Sequence, residues 1–86
     1  MKFEFDPAKS ASNKIKRGLD FVEAQTLWTS ETLEVPTLST TEPRILVIGM
    51  IEGKHWSAVV TKRRGKVRII SVRRSRDKEM KIYENR

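Results

Sequence analysis

Between Arg44 and Arg74 the chain runs through three β-type segments separated only by short turn signals, and this stretch limits what it can fold into. Arg44–Ile51 is a β-branched run, and Glu52-Gly53 reads as a turn. Residues 54–62 and 66–74 are two further strands joined by Arg63-Arg64-Gly65. A chain built around such a meander must supply something to cover the sheet, and the flanking residues read as that cover.

Residues 2–6 alternate apolar and polar, a short strand with Phe3 and Phe5 on one face. Asp6-Pro7 opens a helix, with Asp as N-cap and Pro at the first helical position. Ala8, Ala11 and Ile15 mark its apolar stripe, and Gly18 ends it. Asp20 with Glu23 resembles a capping box for a second helix whose stripe is Phe21, Ala24, Leu27 and Trp28. Residues 29–43 read as a loop with an edge strand over 33–38, because Pro36 is tolerated only at an edge. Ser75 is the expected cap of a last helix, buried through Met80 and Tyr83. The order β-α-α-β-β-β-α predicts one α+β domain over residues 1–86. It is a mostly antiparallel sheet with two N-terminal helices and one C-terminal helix.

Charge is distributed unevenly over this plan. Residues 54–76 hold nine Lys or Arg and no Asp or Glu, and residues 54–86 carry a net charge of +9. Residues 1–53 carry −2. A lopsided positive field on a folded surface is what a polyanion binder presents, which points to nucleic acid. There is no Cys and one His, so no disulfide, thiolate nucleophile, zinc–thiolate site or His-based metal cage is available. No apolar run approaches the ~20 residues of a membrane span, and residues 1–20 lack a signal-peptide core. The expectation is a cytoplasmic, metal-free protein.

With an even-length loop at the hairpin tip, facing residues on the last two strands sum to 129. His55 then opposes Arg74, Ser57 opposes Val72 and Thr61 opposes Arg68 on the more polar, candidate exposed face. Trp56 opposes Arg73, Ala58 opposes Ser71 and Val60 opposes Ile69 on the candidate core face, with Arg73 at its margin. A one-residue slip would exchange the faces. His55 and Arg63 are about 26 Å apart at ~3.3 Å per residue, so they cannot grip one phosphate. Two patches follow. His55, Trp56, Arg73 and Arg74 lie at the far end, while Arg63, Arg64, Lys66 and Arg68 lie at the tip.

Two blocks carry a resemblance. Phe3-Glu4-Phe5-Asp6-Pro7-Ala8-Lys9, then Asn13, Lys16-Arg17-Gly18 and Phe21-Val22-Glu23-Ala24, resemble the start of the BrnT family. Arg68-Ile69-Ile70-Ser71-Val72-Arg73-Arg74, then Glu79 and Tyr83, resemble its end. The resemblance implies a RelE-like fold and a ribonuclease toxin of a type II toxin–antitoxin system that inhibits translation. Its implied partners are RNA (mRNA, on or off the ribosome) and a BrnA-like ribbon-helix-helix antitoxin, which carries the complex to operator DNA. No cofactor is implied. Two departures are Phe5 where the family commonly has Trp, and Arg17 where it usually has His. A guanidinium stays protonated at neutral pH, so Arg17 does not take over the proton shuttling of an imidazole.

Metal-free RNA cleavage uses the ribose 2′-hydroxyl as nucleophile, and the protein must stabilise phosphorane charge and manage two protons. Arg73 is the expected source of the electrostatic term. Glu79 and Tyr83, four residues apart on the last helix, are the expected proton carriers, with His55 and Lys16 as further candidates. Lys16, Arg17, His55, Arg63, Arg68 and Arg74 are the expected RNA contacts. Two other functions fit the same residues. One is a non-catalytic basic RNA- or DNA-binding module, and the other is a domain whose positive face accepts an acidic protein.

Overall fold

The computed structural model describes residues 1–37 and 43–86. Five strands form one sheet: β1 (Lys2–Glu4), β2 (Leu33–Thr37), β3 (Arg44–Ile51), β4 (Lys54–Arg63) and β5 (Lys66–Arg74). Helix α1 (Pro7–Arg17) and a 3-10 helix (Glu23–Thr29) lie between β1 and β2, and α2 (Asp77–Glu84) follows β5. The sheet order is β1-β5-β4-β3-β2, with only β1–β5 parallel, so the fold is α+β and mostly antiparallel. β2 is an edge strand, where Pro36 costs no ladder bond to a further neighbour. Leu38, the expected end of that strand, lies outside the described residues.

The two faces of the sheet are covered differently. On one face Val47, Trp56, Ala58, Val60, Val67, Ile69 and Val72 pack with Phe21, Ala24 and Leu27 around the 3-10 helix. Phe3 meets Trp28 and Phe5 meets Phe21 edge-on, with ring centroids 4.9 and 5.7 Å apart. On the other face Leu46 and Ile48 pack with Tyr83 of α2. Gly49 permits close approach of the 3-10 helix to β3, because a Cβ there would lie 3.0 Å from the Leu27 side chain and from Ser30 Oγ.

Three expectations are corrected. First, the segment around Leu27 is a 3-10 helix, although Asp20 and Glu23 do exchange the hydrogen bonds of a capping box. Second, Ile15 is 86% exposed, and α1 buries Ser10 and Asn13 instead. The reason is polar: Ser10 Oγ accepts from the Phe21 amide, while Asn13 donates to the carbonyls of Leu19 and Val72 and accepts from the Val72 amide. β1 pairs with β5 only as far as Glu4–Arg68, so Asn13 supplies a ladder step that no strand provides. Third, the N-cap of α2 is Arg76, and the Ser75 hydroxyl bonds Ser57 instead.

The β4–β5 register also differs in part. Arg64-Gly65 is a two-residue turn with both residues left-handed, and near the tip Thr61 faces Arg68 and Val60 faces Ile69, as expected. A bulge then leaves Ile70 unpaired, and beyond it Val59 faces Ser71, Ser57 faces Arg73 and Trp56 faces Arg74. One extra residue reverses the side on which everything after it points. Val72 therefore joins the core, and Arg73 moves to the Ser57 face. That face is not the exposed side at either end, because Ser57 beyond the bulge and Thr61 nearer the tip are both buried.

Candidate nucleic-acid interface

The bulge places Arg73 under α2, where Glu79 meets it. Arg73 Nη1 and Nη2 each donate to one Glu79 oxygen at 2.8 Å. Glu79 Oε1 also accepts from the Ser57 hydroxyl and the Arg76 amide, both at 2.9 Å. The Arg73 hydrogen bonds, with smaller contributions from Arg76 and Ser57, hold the Glu79 carboxyl at about 2 against partial burial. The same contact raises Arg73. Nη1 spends its second proton on the Arg74 carbonyl, 3.3 Å away. Among the described residues the guanidinium's Nε–H and one Nη2–H have no protein partner, two parallel donors of the kind that take a phosphate bidentately.

His55 lies on the same face, two residues from Ser57 along β4. Its Nε2 is 2.6 Å from Glu84 Oε2, and its ring stands edge-on to Tyr83 with centroids 5.6 Å apart. The Tyr83 hydroxyl donates to the Glu31 carbonyl at 2.6 Å, and the Arg86 guanidinium covers the ring at 3.8 Å. That phenol ties α2 to the segment before β2. Trp56 is in the core of the opposite face, with the Arg74 guanidinium 5.7 Å from its ring.

The hairpin tip is a separate place. Arg63 and Arg64 line a hollow of about 430 Å³ with Glu4, and Glu4 is ion-paired to Arg68 at 2.9 Å. Carboxylates of the N-terminal half thus compensate part of the basic half, since Lys62 likewise pairs with Glu34. Among the described residues Arg64, Lys66, Arg74 and Arg76 have no ion pair, so the surface stays strongly cationic.

A third feature lies where α1 crosses the bulge. Lys9, Ser12, Lys16 and Arg17 of α1 face Ile70 and Ser71 across a groove of about 240 Å³. Among the described residues no carboxylate lines it. Among the described residues no three His, Asp or Glu side chains gather into a set that could hold a metal ion. No helix among them is long and apolar enough to cross a membrane.

The family model for "Ribonuclease toxin, BrnT, of type II toxin-antitoxin system" matches residues 5–79. The chain belongs to the BrnT family. A search of curated proteins finds no match. The matched span in this BrnT-family chain runs from Phe5 to Glu79, so it includes the α1 groove, the bulge and the Arg73–Glu79 pair. Tyr83 and Glu84 lie beyond it.

The structure brings Arg73, Glu79, Tyr83, His55 and Arg74 to one end of the sheet. It leaves Arg63 and Arg68 at the tip, and Lys16 and Arg17 on the α1 side. Two residues escaped the sequence reading. Ser57 had been placed on an exposed face, and only the bulge shows it buried beneath Glu79. Lys9 enters the sequence reading only as the end of the N-terminal block, and its signal as a site residue is the seven-residue spacing to Lys16, which puts both on one side of α1.

Proposed function

We propose that this BrnT-family chain is a metal-independent endoribonuclease that cuts RNA through its own 2′-hydroxyl and thereby inhibits translation. On this reading residues 1–86 are one RelE-like toxin domain acting in the cytoplasm on mRNA, free or on the ribosome. A BrnA-like ribbon-helix-helix antitoxin neutralises it, and the complex reaches operator DNA through that antitoxin. The observation that carries the reading is the family match over residues 5–79. Metal independence is supported by the donor chemistry, with one His and no Cys in the chain.

In this mechanism Arg73 is the residue that meets the scissile phosphate, through the Nε/Nη2 donors Glu79 leaves free, and stabilises charge on the phosphorane oxygens. Glu79 positions Arg73. With both oxygens bonded and its carboxyl held at about 2, it is too weak a base to take a proton near neutrality. Tyr83 holds α2 and the His55 ring in place. His55 is the proton carrier, because its ring nitrogens can serve as both proton donor and acceptor and Glu84 orients the ring. Arg74 and the tip cations Arg63 and Arg68 hold flanking backbone.

Purified protein incubated with RNA in excess EDTA tests this. Cleavage that Arg73→Ala abolishes supports the enzyme. Salt-sensitive binding without cleavage supports instead the non-catalytic RNA- or DNA-binding module, which needs only the unpaired cations.

A further inference from the structure

We propose that the groove between α1 and the β5 bulge is a backbone subsite for single-stranded RNA, with Lys9, Lys16 and Arg17 taking successive phosphates. This rests on the reading of RNA as the substrate and names a second place where the strand is held. Three observations carry it. The groove is concave, its walls bear cations and the hydroxyl-bearing residues Ser12 and Ser71, and no carboxylate among the described residues lines it. Among the described residues Lys9, Lys16 and Arg17 make no ion pair, whereas Lys14 on the same helix pairs with Glu23 at 2.8 Å. The charge in the groove is therefore left uncompensated while the charge beside it is not.

The helix dipole does not explain the pattern. Cations at the carboxyl end of α1 complement the dipole, which accounts for Lys16 and Arg17. Lys9 sits in the first turn, where a positive charge is disfavoured by the dipole, and the N-cap carboxylate of Asp6 is bonded to the Ala8 amide and forms no ion pair with Lys9. Its placement makes sense if it faces an anion shared with Lys16. The two lie seven residues apart, about 10 Å along the axis, so the site extends along the helix and suits a run of phosphates better than one. The bulge opens it. β1 leaves β5 at Arg68, Asn13 occupies the edge at Val72, and Ile70 and Ser71 between them form the groove wall.

A labelled single-stranded 2′-O-methyl oligonucleotide is the probe, because without a 2′-hydroxyl it cannot be cut by the proposed route. Its affinity for the full chain is measured from 50 to 300 mM salt for wild type, for Lys9→Gln/Lys16→Gln, and for Lys78→Gln/Lys81→Gln. The last pair removes the same charge from the exposed side of α2. The proposal expects the groove pair to weaken binding about tenfold or more at 0.1 M salt. It also expects the slope of log K against log salt to shrink by about 1.4, at ~0.7 per phosphate contact. The α2 pair should change affinity less than about threefold. Equal losses from both pairs, or an unchanged slope in the groove pair, would overturn the subsite and assign the groove's charge to something other than RNA. Binding is read without catalysis, so failure of RNA cleavage tells against the enzyme and leaves this result standing.

Discussion

Replacing Glu79 by Gln removes one charge while keeping the size of the side chain, and the structure sets how much that costs. The Glu79 and Arg73 side chains are 13% and 19% exposed, so solvent screens the pair far less than an open surface bridge. The Glu79 carboxyl is lowered from 4.5 to about 2. That shift corresponds to about 3 kcal/mol of folding stability at neutral pH. Because the folded-state value is depressed, this stability is fully present above pH 4.5 and is lost as pH falls toward 2. By pH 2.5 the remaining contribution is about 0.8 kcal/mol. Urea unfolding of wild type and Glu79→Gln at pH 7 and pH 2.5 reads this directly. At pH 7 the variant should lose roughly 3 kcal/mol, a midpoint drop of ~2–3 M for a domain of this size. At pH 2.5 the two proteins should differ by less than about 1 kcal/mol. A variant less than ~0.5 kcal/mol weaker at pH 7, or equally weaker at both pH values, would refute the view that Glu79 acts as an ionised anchor.

Other outcomes follow from single contacts. Asn13→Ala leaves the buried Val72 amide and carbonyl unpaired and should lower stability by about 3 kcal/mol in urea unfolding, at ~1–3 per orphaned group. Gly49→Ala forces a methyl against Leu27 and Ser30 and should cost about 1–3 kcal/mol by the same measurement. Tyr83→Phe removes the hydrogen bond to Glu31 and should cost ~1 kcal/mol while leaving RNA cleavage within a few-fold of wild type. A loss above ~10²-fold would make the phenol a proton carrier. Arg73→Lys keeps the charge but not the forked donors, and should stay folded while cleavage falls by ~10²-fold or more in single-turnover assays.

The later strands were legible because they sit between unambiguous signals, whereas β1 ends at Glu4, short of the expected Asp6. Arg44–Ile51 and Lys66–Arg74 have the bounds the sequence predicts, and β4 extends one residue further than expected. Asp6-Pro7 likewise marked the start of α1, and Asp6 Oδ1 accepts from the Ala8 amide. What escaped was set by tertiary partners. Ile70-Ser71 contains no Gly or other local cue for a bulge, yet that one residue decides which face Arg73 occupies. Ile15 has helical spacing from Ala8 and Ala11, but α1 docks through Ser10 and Asn13 because it completes a polar sheet edge. Such a need lies in the neighbour and not in the helix. The cationic character of the C-terminal half was readable as a count, whereas its partial compensation by Glu4 and Glu34 required the fold.

Mass analysis of cleavage products from an RNA and from the same RNA carrying one 2′-deoxynucleotide at the cut position tests the central claim most directly. The account predicts a 2′,3′-cyclic phosphate end from the first, formed in EDTA, and no cut at that position in the second. Cleavage of the deoxy-substituted site, or an absolute requirement for a divalent cation, would contradict it.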